Sequence, residues 1–477
     1  MSPSARETRP SYAVPAIGLA VIAFAYVAFP PWADDWDGLG FLASVHRFDM
    51  ASFAPHPPGY PVYVALLKAM ALVSLDAIGA ARLVACLSCG VTFALLVGVL
   101  CDAAGSPVSP RACALGAAFV CLTPLAFHSF SGVGSEAPAM AFAALALRAV
   151  TWRGSDRARL WMLGLAVGLG CGVRLSWLPF YAPFILLLPR PLWLRATLVG
   201  KLGGLAWAIP LVLLVGPTTL LALYRTHLGG HMTRWGGTAL TDPSRGRLLA
   251  RDLLSDGFGA GFDPLGVALF VVVGVALVLA LALAVRSHRR LLDKALLVTL
   301  PYLLWITLGQ NLREQPRHML PIVATLSLGL VFLVLVHPSA LVRVFALPVL
   351  LTLVGGRTLI DALERHAVPP PGAQLVALVA SMNSEPQVFA GPSARFFDGS
   401  PALPTVHAVG SLGDAILALS RVDHPGPVTL LTSELTDLTH VLVPLVPVAH
   451  LCRPPRLDRR TPCLDVYATD TKALLGQ

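Results

Sequence analysis

Eleven apolar runs divide the first 357 residues, and they constrain this chain more than anything else in it. They lie at about 12–29, 83–101, 112–128, 136–151, 160–173, 176–189, 202–222, 264–285, 292–309, 319–336 and 340–357. A hydrocarbon core of roughly 30 Å takes about 20 apolar residues as a helix. The longer runs meet that length, whereas the 160–189 pair is short and reads as broken or tilted. A further apolar stretch, 59–75, contains Lys68 and several prolines and reads as a juxtamembrane or half-inserted helix.

Composition agrees. The chain is 56% hydrophobic and 13% charged, with a mean hydropathy of +0.72. Soluble domains carry about 25% charged residues, so the reading is an all-α polytopic membrane protein. The net charge of +9 comes from arginines clustered between apolar runs, as the positive-inside rule places them, so nucleic acid is not expected as a partner. The first run ends at Pro30-Pro31-Trp32 without a small-x-small cleavage site, which reads as a retained helix with its N-terminus inside. Eleven spans then put Arg148, Arg153, Arg157 and Arg159, Arg190 and Arg195, and Arg286, Arg289 and Arg290 on the cytoplasmic side. The same parity puts the unusual polar segments outside, at the periplasmic face of a bacterial inner membrane.

The first of these segments holds Asp34, Asp35 and Asp37 within four positions, and His56-Pro57-Pro58-Gly59-Tyr60 follows about twenty residues later. Carboxylates beside hydrocarbon are costly, which marks the cluster as a functional candidate; a solvated acidic loop is the plainer reading. The two prolines fix φ and the glycine permits a turn, so the loop is held in one shape. Glu136 opens a helix after Ser129, Ser131 and Ser135, where the helix dipole favours it and a capping role would suffice. Arg174 interrupts two short apolar halves and needs an anion or a route to the interface. Arg313, Arg317 and His318 crowd the mouth of a span; on the outer side they oppose the positive-inside bias and point to an anionic ligand. In 223–263, His227 and His231 lack a third ligand at helical spacing, so a metal site there is disfavoured. An amphipathic helix is expected near 244–256.

Past Gly355-Gly356 the composition changes. Residues 358–372, ending in Pro369-Pro370-Pro371-Gly372, read as a linker. Short strands near 387–390, 428–432, 446–451 and 464–469, with a helix near 411–421, make 373–477 a small soluble α/β domain, outside by parity. Six of the eight cysteines lie in or beside apolar runs and read as small lipophilic side chains. Cys452 and Cys463 lie in the polar region and could form a disulfide in an oxidising compartment or remain free thiols.

Carboxylates on a rigid loop, arginines at helix ends and a bundle around them suit an enzyme that uses a lipid-phosphate donor. A carboxylate takes the acceptor's proton, while arginine forks hold the leaving phosphate. The motifs D-D-W-D at Asp34–Asp37 and H-P-P-G-Y at His56–Tyr60 resemble the GT-C integral-membrane glycosyltransferases. The likeness is to their protein O-mannosyltransferase and aminoarabinose transferase branch and the relatives carrying H-P-P-G-Y-P. S-x-E at Glu136, G-x-x-x-G-x-R-x-S ending at Arg174 and Ser176, and Q-P-R-H-x-L-P at Gln315–Pro321 add weaker echoes, all within about residues 12–357. The resemblance implies a polyprenyl-phosphate-linked sugar as donor, inverting transfer on the periplasmic face, and a glycan, lipid or protein acceptor. By position it makes Asp35 the base, with Asp34 or Asp37 as neighbour or ligand of a divalent metal, should one be needed. The family's acidic pair is usually Asp-Glu, so Asp-Asp-Trp-Asp leaves the choice among the three aspartates open. Two other classes fit the same residues: a transporter or flippase of a lipid-linked or anionic substrate, and a catalytically silent membrane scaffold.

Overall fold

The computed structural model describes residues 12–105, 108–231 (227–231 as backbone only), 244–310, 315–382, 386–390, 397, 406–409, 411–422, 428–436, 438, 444–454 and 462–475. It divides into two compact units: the chain to Phe29 with Ser44–Leu363, and Pro30–Ala43 with the chain from Glu364 onward.

The first unit is helical. Its elements are α1 (Ala13–Ala28), the end of α2 (Trp36–His46), α3 (Pro61–Ala71), α4 (Ala77–Ala104), α5 (Pro110–Cys121), α6 (Pro124–Phe130), α7 (Glu136–Thr151), α8 (Asp156–Val173), α9 (Leu178–Tyr181), α10 (Trp193–Val215), α11 (Pro217–His231), α12 (Ser244–Arg251), α13 (Pro264–Ser287), α14 (Arg289–Gly309), α15 (Leu320–Leu335) and most of α16 (Ala340–Ala367). Starts follow local chemistry. Ser109 and Asp263 accept from the amides of Ala112 and Gly266 ahead of Pro110 and Pro264, and Ser155 accepts from Ala158. A polar cap followed by proline at the first helical position satisfies orphan donors at little cost.

All eleven apolar runs are helical. Among the described residues six helices are long and apolar enough to cross a membrane alone, and α5 with α6, bent by 81°, makes a seventh. The 160–189 pair is broken as expected: α8 ends at Val173, and 3₁₀ turns at Leu175–Trp177 and Ala182–Leu187 flank α9. The run 202–222 is two helices, because Gly216 at φ +85° and Pro217 end α10 and start α11. The expected amphipathic helix is α12, followed by a π-helical turn at Asp252–Gly257.

Close packing of α8 on α10 rests on Gly164, Gly168 and Gly172, spaced by four so that they form one stripe. A Cβ at Gly168 would lie 2.5 Å from the Gly200 carbonyl oxygen and 2.8 Å from Gly203 Cα. Those are backbone atoms and cannot swing aside. Trp207 Nε1 donates to the Gly168 carbonyl at 2.9 Å across the same contact. Gly168→Ala is therefore expected to lower stability by about 1–3 kcal/mol, read as a drop in thermal midpoint in detergent. Gly204→Ala, which meets nothing within 4 Å, is the control. Equal midpoints for the two would contradict this packing.

The second unit carries a five-stranded sheet: β1 (Gln387–Ala390), β2 (Val406–Ala408), β3 (Val428–Thr432), β4 (Val446–Cys452) and β5 (Cys463–Asp470), in the order β2-β1-β3-β5-β4. β1 pairs in parallel with β2 and β3, and β5 antiparallel with β3 and β4. Alternation sorts the side chains. Val388, Leu430, Leu464 and Val466 pack with Leu375 and Val379 of α17 (Pro371–Ala380) on one face. Phe389 and Leu431 pack with α18 (Leu412–Leu419) and Leu474 of α19 (Thr471–Leu474) on the other. The stretch expected as a linker is helical through Ala367, and only 368–370 separates α16 from α17. Its polar and apolar residues continue the helix until the prolines remove backbone donors.

Candidate active site: two carboxylate–arginine clusters

One cluster lies in the helical unit. The α8 stripe lets that helix lie against α10, and the helix ends at Val173, where Arg174 turns to extended backbone (φ −153°, ψ 94°). Arg174 is 3% exposed. Its Nη1 donates to Ser135 Oγ at 2.9 Å and lies 2.8 Å from Glu136 Oε1. Arg317, on the 3₁₀ turn Pro316–Met319, brings Nε to 3.1 Å from the same oxygen. The turn is held in place by Tyr302, whose hydroxyl donates to the His318 carbonyl at 2.9 Å. Trp177 packs edge-on beside Tyr302 and tilted beside Tyr181. Glu136 heads α7, but its carboxylate turns to the arginines, and the Ser135 side chain makes no cap. Its place in the first turn of α7 suits the helix dipole, and the ion pairs with Arg174 and Arg317 add to that placement. A buried guanidinium, Arg174, and a partly buried one, Arg317, share one carboxylate, and positive charge held away from water favours an anion.

The His-Pro-Pro-Gly-Tyr corner, also in this unit, is shaped by its own bonds. Asp49 and Ala54 exchange backbone hydrogen bonds, and Asp49 Oδ1 accepts from the amides of Ala51 and Ser52. The Ser52 side chain first, and then these amides, hold the Asp49 carboxyl below its ordinary range against the effect of burial. The Gly59 amide donates to the His56 carbonyl at 3.0 Å, with Gly59 at φ +96° and Tyr60 at φ +45°. Only glycine adopts the former without strain, and a Cβ there would also meet Met50 Sδ at 2.8 Å. His56 Nε2 and Tyr60 Oη lie 2.9 Å apart, and Tyr224 Oη donates to the Pro58 carbonyl at 3.2 Å. Pro57 and Pro58 are joined by a cis bond.

The second cluster lies in the other unit and contains the acidic motif. Asp34 pairs with Arg365 through Oδ2 and lies 2.9 Å from Arg453 Nη2 through Oδ1. The latter is ionic contact without the angle of a directed hydrogen bond. Both arginine side chains are almost wholly buried. Asp35 caps α2: its Oδ1 accepts from the Gly38 amide at 2.8 Å. Asp37 sits in the first turn of the same helix, where the dipole favours a negative charge.

Asp34, Arg174, Arg317 and Glu136 thus each enter an ion pair, and His318 is buried on the turn that carries Arg317. Arg313 lies outside the described residues, as do the side chains of His227 and His231. Arg365 and Arg453 were not foreseen. Arg365 follows an apolar run and looks like an ordinary topology charge, while Arg453 stands beside Cys452 in a segment without periodicity. Among the described residues only His450, Cys452 and Cys463 bring three metal-ligand atoms within reach of one ion. Two of those are already joined, Cys452 to Cys463, at a cross-strand position of β4 and β5. The acidic motif does not fit a dication as folded, since Asp34 already faces two cations and Asp35 caps a helix.

The fold of the assembled chain has counterparts among solved structures. Two solved structures match it along nearly their whole length, both of ArnT from Cupriavidus metallidurans. The form bound to undecaprenyl phosphate has a TM-score of 0.58 at 13% identity, covering 96% of this chain and 98% of that one. The apo form has a TM-score of 0.52 at 13% identity, covering 97% and 98%. No family model and no curated protein sequence matches the chain.

Proposed function

We propose that this protein is a membrane glycosyltransferase that moves a sugar from a polyprenyl-phosphate donor to an acceptor at the periplasmic face of the inner membrane. The observation that carries the reading is the end-to-end fold match to ArnT, one of whose structures holds undecaprenyl phosphate. The arginine clusters of an apolar, α-helical chain support the stated orientation.

Chemically, an aspartate of the acidic motif removes the proton from the acceptor's hydroxyl or amine. The freed electron pair attacks the anomeric carbon, and the bond from that carbon to the phosphate oxygen breaks with inversion. Asp35 is the aspartate best suited to this, because Asp34 is in contact with two guanidiniums. Arg174 and Arg317, with Arg313 and His318, receive the phosphate as charge develops on it. The His56–Tyr60 corner gives the substrate loop its shape. The acceptor is a glycan, lipid or protein. The Cys452–Cys463 disulfide suits an oxidising compartment.

Donor binding tests the arginine assignment without catalysis. Undecaprenyl phosphate added to purified protein should raise the thermal midpoint, and Arg317→Met should weaken that effect about tenfold or more in concentration. Such a loss matches roughly 1.5–3 kcal/mol for a charge-assisted contact. An identical response from both proteins would remove Arg317 from the phosphate site.

A further inference from the structure

The C-terminal unit holds two arginines on the acidic motif. Asp34 is separated by 331 residues from Arg365 and lies still farther in sequence from Arg453, yet all three meet. Arg365 stands in the last turn of α16. Arg453 directly follows β4 and is fixed from several sides. Its amide donates to the Pro462 carbonyl at 2.7 Å. Its neighbour Cys452 is joined to Cys463 across the β4–β5 pair. Gln374 Nε2 donates to the Cys452 carbonyl at 3.0 Å and to the Pro369 carbonyl at 2.7 Å, tying strand, disulfide and the start of α17 together. Arg453 Nε and Nη1 have no partner among the described residues. Burying a guanidinium this way is expensive unless its charge is answered, and within the described contacts Asp34 answers it.

We propose that Arg365 and Arg453 are positioning residues that clasp Asp34 and so fix the motif Asp34–Asp37, and that the Cys452–Cys463 disulfide holds Arg453 in place for this purpose. The C-terminal unit is then part of the machinery that orients the carboxylates, and oxidation of the pair sets how well it does so. The part of this that concerns transfer rests on the glycosyltransferase reading; the clasp itself does not.

The test separates the two. Hydrogen exchange is followed on residues 30–43 in the full-length protein in lipid nanodiscs, alongside transfer kinetics. In Arg453→Met the 30–43 amides should exchange at least tenfold faster while α4 and α15 keep their protection, and Arg453→Lys should restore part of it. The Cys452→Ser/Cys463→Ser variant leaves the arginine intact and should show the same direction. In transfer, Arg453→Met should lower kcat on the order of 10²-fold, as a displacement of about 1 Å can, with the KM for the lipid donor little changed. Unchanged protection of 30–43 in both the arginine and the cysteine variants would overturn the clasp. Should Arg453→Met fail to fold, the cysteine variant decides alone. A wild type that is inert with every donor would overturn the transferase reading and leave the exchange result standing.

Discussion

Asp35→Asn is expected to lower sugar transfer by about 10²- to 10⁴-fold, the range a positioned general base supplies, while leaving stability almost unchanged. The separation of the two effects follows from the cap. Asparagine is as good an N-cap as aspartate, so its side-chain oxygen can still accept from the Gly38 amide that Asp35 now satisfies at 2.8 Å. What it loses is the ability to take a proton. Helix α2 should form as before, and the KM for the donor should stay within a few-fold. Steady-state rates with a thermal midpoint measured on the same preparation check both halves. A midpoint that falls with the rate would mean that Asp35 matters for architecture only.

Glu136→Ala should be the most destabilising single change at either cluster. It leaves Arg174, 3% exposed, and Arg317 facing one another without the carboxylate that lies 2.8 and 3.1 Å from them. Removing one partner of a buried ion pair costs about 3–5 kcal/mol, because the remaining charge stays desolvated. Arg174 bears that cost in full, and the partly exposed Arg317 adds a like charge beside it. Glu136→Gln keeps the volume and an acceptor and should recover part of the loss, and undecaprenyl phosphate should recover more if the surplus charge binds an anion. Thermal unfolding in one detergent, with and without the lipid, reads all three. A small loss in Glu136→Ala would mean that the arginines answer to other groups.

Much of the frame was legible because it is periodic or punctuated. Apolar runs announced the helices, and the four C-terminal strands appeared as short β-like stretches, but the run 202–222 read as one segment although Gly216-Pro217 divides it. β2, three residues long, offered too little pattern to see. The site was legible as residue types but not as partners. Asp34, Glu136, Arg174 and Arg317 stood out because charge near hydrocarbon is costly. Their pairing depends on helix ends meeting across long loops, which no local spacing encodes. Glu136 read most simply as a cap, and its turn toward Arg174 depends on the glycine stripe that brings α8 to its neighbour. Nor did the sequence suggest that Pro30–Ala43 groups with the C-terminal unit rather than the helices around it. Arg453, the residue that makes the connection plain, lies more than four hundred positions from the motif it holds.

The most direct test of the central claim is sugar transfer itself. Purified protein and the Asp35→Asn variant are each given polyprenyl-phosphate-linked donors from lipid extracts of the host, with acceptor extracts of a strain lacking the gene, and the products are read by mass spectrometry. The account predicts a sugar-sized mass gain on an acceptor, with release of polyprenyl phosphate, for the wild type and not for the variant. Identical products from both, or none from either across a broad donor panel, would contradict it.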